Sequence, residues 1–150
     1  MDGRKNTKRL GNVSEAKILA SLLAAGHVVL QPYGDNQRYD LVIDDKGDFK
    51  RVQVKTGHLT EFNSLSFSAR SISSQGKNIS DYHGQIEFFG VYVPEIDKCY
   101  LFPISKIGKS SANFRLAPPK KNYDCSGKYA VEYEIKSNGE LAEWSKAPHC

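Results

Sequence analysis

Between residues 11 and 26 the apolar residues recur at three- and four-residue spacing; beyond Gly26 they come in short runs broken by turn residues. The first pattern predicts a helix over 11–26, ended by Gly26; the second predicts strands. Ser14 or Asn12 is placed to cap the helix, and residues 1–9 read as a loose basic arm before it. On a wheel of about 100° per residue, Val13, Ala16, Ile18, Leu19, Ala20, Leu22 and Leu23 fill one arc. Lys17, Ser21 and Ser14 fall outside that arc. Glu15 falls inside it, where an unpaired carboxylate is costly.

Strands are expected at His27–Gln31, Tyr39–Asp44 and Phe49–Thr56, the last two joined by a turn at Asp45-Lys46-Gly47-Asp48. A fourth is expected at Glu61–Ala69, anchored by Phe62, Leu65 and Phe67. Residues 70–83, polar and rich in Ser, read as a mobile loop. Two more strands follow at Ile86–Pro94 and Cys99–Ile104, and the run Phe88-Phe89-Gly90-Val91-Tyr92-Val93 implies burial on both faces. Lys106–Ser111 fits a helical turn, Pro118-Pro119-Lys120-Lys121 a basic loop, and Tyr129–Ile135 a short helix or an edge strand. The organisation is one domain over 10–135 between the arm and a tail over 136–150.

Composition narrows the class. The 150 residues are 39% hydrophobic and 25% charged, an ordinary globular mix. Lys plus Arg number 21 against 17 acids, a net charge of +4 that permits a polyanionic partner. The most apolar stretch, Ile18–Gly26, is too short to span a membrane. Cys99, Cys125 and Cys150 are an odd, scattered set, and no signal peptide is evident. The expectation is reduced thiols in a cytoplasmic protein, with neither a disulfide framework nor a zinc site.

The chemistry lies in the predicted hairpin. If its turn is 45–48, paired residue numbers sum to 93, and Asp40 stands opposite Gln53. Arg51 and Lys55 share that face by strand alternation, while Leu41, Ile43, Val52 and Val54 point to the core. Glu15, on the inner side of a helix packed on this sheet, can reach the same place. Two carboxylates, the Gln53 amide and the Val54 carbonyl form an all-oxygen donor set suited to Mg²⁺. Lys55 would orient or deprotonate an attacking water, or stabilise charge on a phosphoryl oxygen. These are the parts of metal-dependent phosphodiester hydrolysis.

Three strings carry a family likeness: Gly11-Asn12-Val13-Ser14-Glu15, Tyr39-Asp40-Leu41-Val42-Ile43 and Arg51-Val52-Gln53-Val54-Lys55-Thr56-Gly57. Together they resemble the PD-(D/E)xK nuclease superfamily, in particular its group I intron-associated branch of homing endonucleases, which writes the third motif as QxK. Tyr39 stands where the motif name has proline, and Gln53 where it has an acid. The resemblance implies an α/β restriction-endonuclease-like αβββαβ core with a mixed central sheet. It implies Mg²⁺, with Mn²⁺ able to substitute, and a double-stranded DNA substrate. Carried over by motif, the catalytic residues are Glu15, Asp40, Gln53 and Lys55, and the metal ligands are Glu15, Asp40, Gln53 and Val54. Arg4, Lys5, Lys8, Arg9 and Arg51 are the expected DNA contacts. Cutting both strands with one site per chain implies a homodimer or homotetramer. The alternatives are a Holliday-junction resolvase and a DNA-binding module whose nuclease site has decayed. His58 reads as a solvated loop residue, and Tyr33, Tyr39 and Tyr82 as packing.

Overall fold

A computed structural model describes residues 3–72, 79–117 and 129–136. Cys125, Cys150, the 118–121 loop and all but Lys136 of the tail lie outside them, as do the side chains of Arg4 and Lys5. The described elements are α1 (Gly3–Ala24), β1 (Val28–Leu30), β2 (Leu41–Asp45), β3 (Asp48–Thr56), β4 (His58–Leu59), β5 (Ser64–Ser68), β6 (Ser71–Ile72), β7 (Ile79–Ser80), β8 (Phe88–Val93), β9 (Lys98–Pro103) and β10 (Ser111–Arg115). Short 3₁₀ turns occupy Ile104–Lys106 and Ala130–Tyr133. No described helix is long and apolar enough to cross a membrane.

Five strands form the central sheet in the order β1-β2-β3-β8-β9. β3 and β8 run parallel and the other pairs antiparallel, so the expected mixed sheet is present. The register of β2 on β3 follows the sum of 93, from Leu41↔Val52 to Asp45↔Asp48. Only Lys46 and Gly47 remain in the turn, and both have positive φ (52° and 89°). That is the handedness a two-residue hairpin demands, and Gly47 adopts it without a steric cost.

Helix α1 covers one face of this sheet. Ile18 and Leu22 are fully buried against Leu41, Ile43, Val52 and Val54. The helix seats closely: a Cβ at Gly90 would lie 2.8 Å from Ile18 Cγ2. The other face carries a three-stranded sheet ordered β10-β5-β4. Leu65, Phe67, Ala112 and Phe114 pack inward there on Phe89, Val91 and Phe102, and the Phe102 and Phe114 rings stack at 4.5 Å.

Several expectations need correction. The helix begins at Gly3, so it takes in most of the segment expected to be a loose arm. Ser14 does not cap it; it lies mid-helix and is fully buried. The apolar stripe is narrower than the wheel implied, with Leu23 54% exposed. Phe62 anchors nothing and is 87% exposed, since the strand starts at Ser64, after Asn63 turns the chain at φ 54°. Among the described residues the crossover from β3 to β8 is built of strands and turns, without the second helix of an αβββαβ order. Residues 70–83 include the paired strands β6 and β7. Residues 111–115 form β10 on the edge of the second sheet; only Ser111 belongs to an expected element, the helical turn Lys106–Ser111, and it is in the strand instead. The Tyr129–Ile135 segment satisfies both of its readings in part, as a 3₁₀ turn flanked by single bridges at Tyr129 and Glu134.

Candidate active site

The candidate residues gather just before the start of β2, where β3 runs on past Val52. The Asp40 amide donates to Val52 O at 2.9 Å, although Val52 already pairs with Leu41. Two residues therefore oppose one, the arrangement of a β-bulge, which re-aims a side chain. Asp40 does not simply face Gln53, as extrapolating the register implied. Its Oδ2 instead accepts the Val54 amide at 2.9 Å, taking the place of the next strand carbonyl. The N–H and C=O of one strand residue point the same way. Val54 O thus also faces the gap left by β2. Gln53 Nε2 lies 3.4 Å from that oxygen, so its amide is beside the same carbonyl.

Glu15 arrives from the helix side. Ser14 Oγ and Thr56 Oγ1 are 2.6 Å apart and pin α1 to the end of β3, one residue from Glu15 and one from Lys55. Burial, and then the charge of Asp40, push the Glu15 carboxyl above its ordinary range. Burial also raises Asp40, against the opposing pull of the Val54 amide and Lys55. Glu15 and Asp40 line one cleft of ≈ 280 Å³, together with Gln31, Asp35, Gln37 and Tyr39 among others. Asp35 thereby adds a carboxylate to a wall that the sequence presents only as a turn.

Lys55 comes from the sheet face opposite α1. Its Nζ donates to Arg70 O at 2.9 Å and lies 5.1 Å from the Tyr82 ring centroid. Burial lowers its proton affinity, Asp40 opposes that, and Arg38 adds to it. Arg38 and Tyr82 belong to the site's surroundings, yet nothing in the spacing of the sequence announces Arg38. Its partners lie 33 to 47 positions away.

The other candidates divide. Arg51 is held by Glu87: Nη2 to Oε1 is 2.6 Å and Nε to Oε2 is 3.0 Å. That pairing holds the Glu87 carboxyl below its usual range and occupies the guanidinium. Lys8 and Arg9 are exposed on α1. His58 is exposed, as expected.

The donor chemistry fits a hard divalent cation. The available atoms are oxygens, and two neighbouring carboxylates are both raised by burial, one of them also by the other's charge. A cation relieves that repulsion. Among the described residues no three His, Cys, Asp or Glu side chains group as a metal site. The other oxygens beside Asp40 are those of the Gln53 amide and the Val54 carbonyl.

Comparison with known proteins bears on the fold and the family. No curated protein matches. A solved structure titled "The structure of a bacterial homing endonuclease: I-Ssp6803I" is similar, with a TM-score of 0.66 and 28% identity, covering 85% of this chain and 88% of that one. The family model described as PD-(D/E)XK endonuclease matches residues 5–136, from the first half of α1 through the QVK strand to the last 3₁₀ turn. The chain belongs to the PD-(D/E)XK endonuclease family.

Proposed function

We propose that the protein is a metal-dependent endonuclease of double-stranded DNA, of the site-specific homing type, acting as a homo-oligomer. One observation carries the reading: the Asp40 carboxylate is fixed on the Val54 amide one residue from a desolvated Lys55. The similar structure, a bacterial homing endonuclease by its title, supports the site-specific role. Glu15, Asp40, Gln53 Oε1 and Val54 O would hold Mg²⁺ or Mn²⁺. When bound, the ion supplies Lewis-acid polarisation of the scissile phosphate and lowers the pKa of water.

The chain's own groups do the rest. Asp40 and Glu15 place negative charge where an attacking water loses its proton. Lys55, whose ammonium feels the charge of Asp40, can donate to a phosphate oxygen, offsetting charge as the water oxygen bonds phosphorus and the sugar oxygen leaves with a proton. Exposed Lys8 and Arg9, with Arg4 and Lys5 on the same helix, would contact DNA phosphates. Arg51 can do so only by releasing Glu87. A single site per chain calls for at least two chains to cut a duplex.

The neutral Gln53 favours one second reading, a module that binds DNA without cutting it. A pool of linear duplexes with random inserts, incubated with purified protein in Mg²⁺ or EDTA and sequenced at its cut ends, separates the two. The nuclease reading expects defined cut sites with Mg²⁺ and none in EDTA. Binding without cuts in Mg²⁺ or Mn²⁺ would establish the module. Preferential cutting of a four-way junction would replace homing by junction resolution.

A further inference from the structure

We propose that Arg38 and Tyr82 are positioning residues for Lys55, the ring serving as a charge-free seat for its ammonium. This rests on the reading of Lys55 as a working residue of the nuclease site. A lysine on a flexible four-carbon stem must be held if its ammonium is to meet a phosphate, yet a carboxylate partner would consume its charge. The structure provides neutral partners on two sides. Arg70 O accepts one N–H at 2.9 Å, and the Tyr82 ring centroid lies 5.1 Å from Nζ. A ring face attracts a cation through its quadrupole and leaves the charge in place. The remaining donor is free to turn toward Asp40, whose charge Lys55 feels.

Tyr82 is itself fixed. It is 4% exposed and meets Phe89 edge-on at 5.4 Å. The Arg38 guanidinium lies 4.0 Å from its ring centroid. Arg38 is immobilised in turn: Nη2 donates to Asp81 O at 3.0 Å, Nη1 to Ser71 Oγ and Nε to Gln85 Oε1. Since Arg38 stands two residues before Asp40, one side chain ties the segment that delivers the carboxylate to the segment that seats the lysine. Among the described residues, Arg38 and Lys55 thus share a ring without either being paired with an acid.

The test reads position and rate separately in the full chain. Lysine labelled with ¹³C at Cε reports the Lys55 methylene, assigned through Lys55→Arg; the ring current of Tyr82 should displace its resonance. Tyr82→Leu and Arg38→Met should each move that resonance toward the free-lysine value, and Tyr82→Phe should keep it. With a duplex recovered from the random pool, Tyr82→Leu and Arg38→Met should slow single-turnover cleavage about 10- to 100-fold, with duplex affinity unchanged. Tyr82→Phe should restore most of the rate. Because Tyr82 is buried, the variant Arg38→Met, at a half-buried position, keeps the test decisive should Tyr82→Leu fail to fold. An unmoved Lys55 resonance in Arg38→Met overturns the proposal, as does a moved resonance with the wild-type cleavage rate. Wild-type cleavage by Lys55→Met instead overturns the nuclease reading of Lys55 on which the proposal rests.

Discussion

The Oδ2 atom of Asp40 accepts the backbone amide of Val54 at 2.9 Å, closing the start of β2 onto β3 with a side chain instead of a strand carbonyl. The carboxylate is thereby both a structural acceptor and a candidate metal ligand, and the two roles separate by substitution. Asp40→Asn keeps an acceptor for Val54, so stability should change little. Asp40→Ala leaves that amide without a partner and should cost about 1–3 kcal/mol. Cleavage should fall in both by about three orders of magnitude or more, as expected when several kcal/mol of charge stabilisation is lost. Denaturant unfolding and single-turnover cleavage, measured side by side, check the pair.

The hydroxyls of Ser14 and Thr56 fasten helix to sheet at 2.6 Å. Ser14→Ala and Thr56→Val should each destabilise by about 1 kcal/mol. The double variant should lose less than the sum, because each single change strands the other hydroxyl. Strict additivity in a double-mutant cycle by urea unfolding would show that the two groups are uncoupled.

Glu15 supplies a pH dependence with a definite sign. Its folded carboxyl is raised above the ordinary 4.5, by burial first and by Asp40 second. The folded chain then binds that proton more tightly than the unfolded chain, so its contribution to stability falls as pH rises from about 4.5 through the raised value. Without metal, Glu15→Gln should melt above wild type at pH 7, and the gap should close as pH drops through that window. Excess Mg²⁺ at pH 7 should reverse the order by stabilising the wild type. Thermal melts of both proteins across pH and Mg²⁺ concentration read this directly.

Gln53 brings an oxygen without charge to a site with two formal negative charges, Glu15 and Asp40. Metal should therefore bind weakly to the free protein and more tightly once DNA adds a phosphate, with DNA tightened reciprocally. Gln53→Glu should strengthen Mn²⁺ binding in the absence of DNA, measured by calorimetry, and Gln53→Ala should weaken it when duplex is present. If metal affinity is the same in all three proteins, with and without duplex, Gln53 holds no metal.

How much of this the chain discloses depends on range. The β2–β3 register is legible because Lys46-Gly47 is a local turn that fixes every pair beyond it. Asp40 does not stand opposite Gln53 as the register implies, because the extra residue at Asp40–Leu41 makes a bulge, and a bulge has no local signature here. Ser14 reads as a cap by residue type, but a partner 42 positions away buries it. Arg51 reads as an open cation until Glu87, 36 positions on, is folded beside it. The seat of Lys55 was equally hidden, since Tyr82 registers only as an aromatic in a polar loop.

The central claim is one site in which metal and Lys55 act together to cut DNA. The most direct measurement compares wild type in Mg²⁺, wild type in EDTA and Lys55→Met in Mg²⁺ on the same selected duplex, with binding followed in parallel. Cleavage is expected in the first alone, with duplex binding by both proteins. Cleavage at the wild-type rate by a carefully purified Lys55→Met protein, or undiminished cleavage in EDTA, would contradict it.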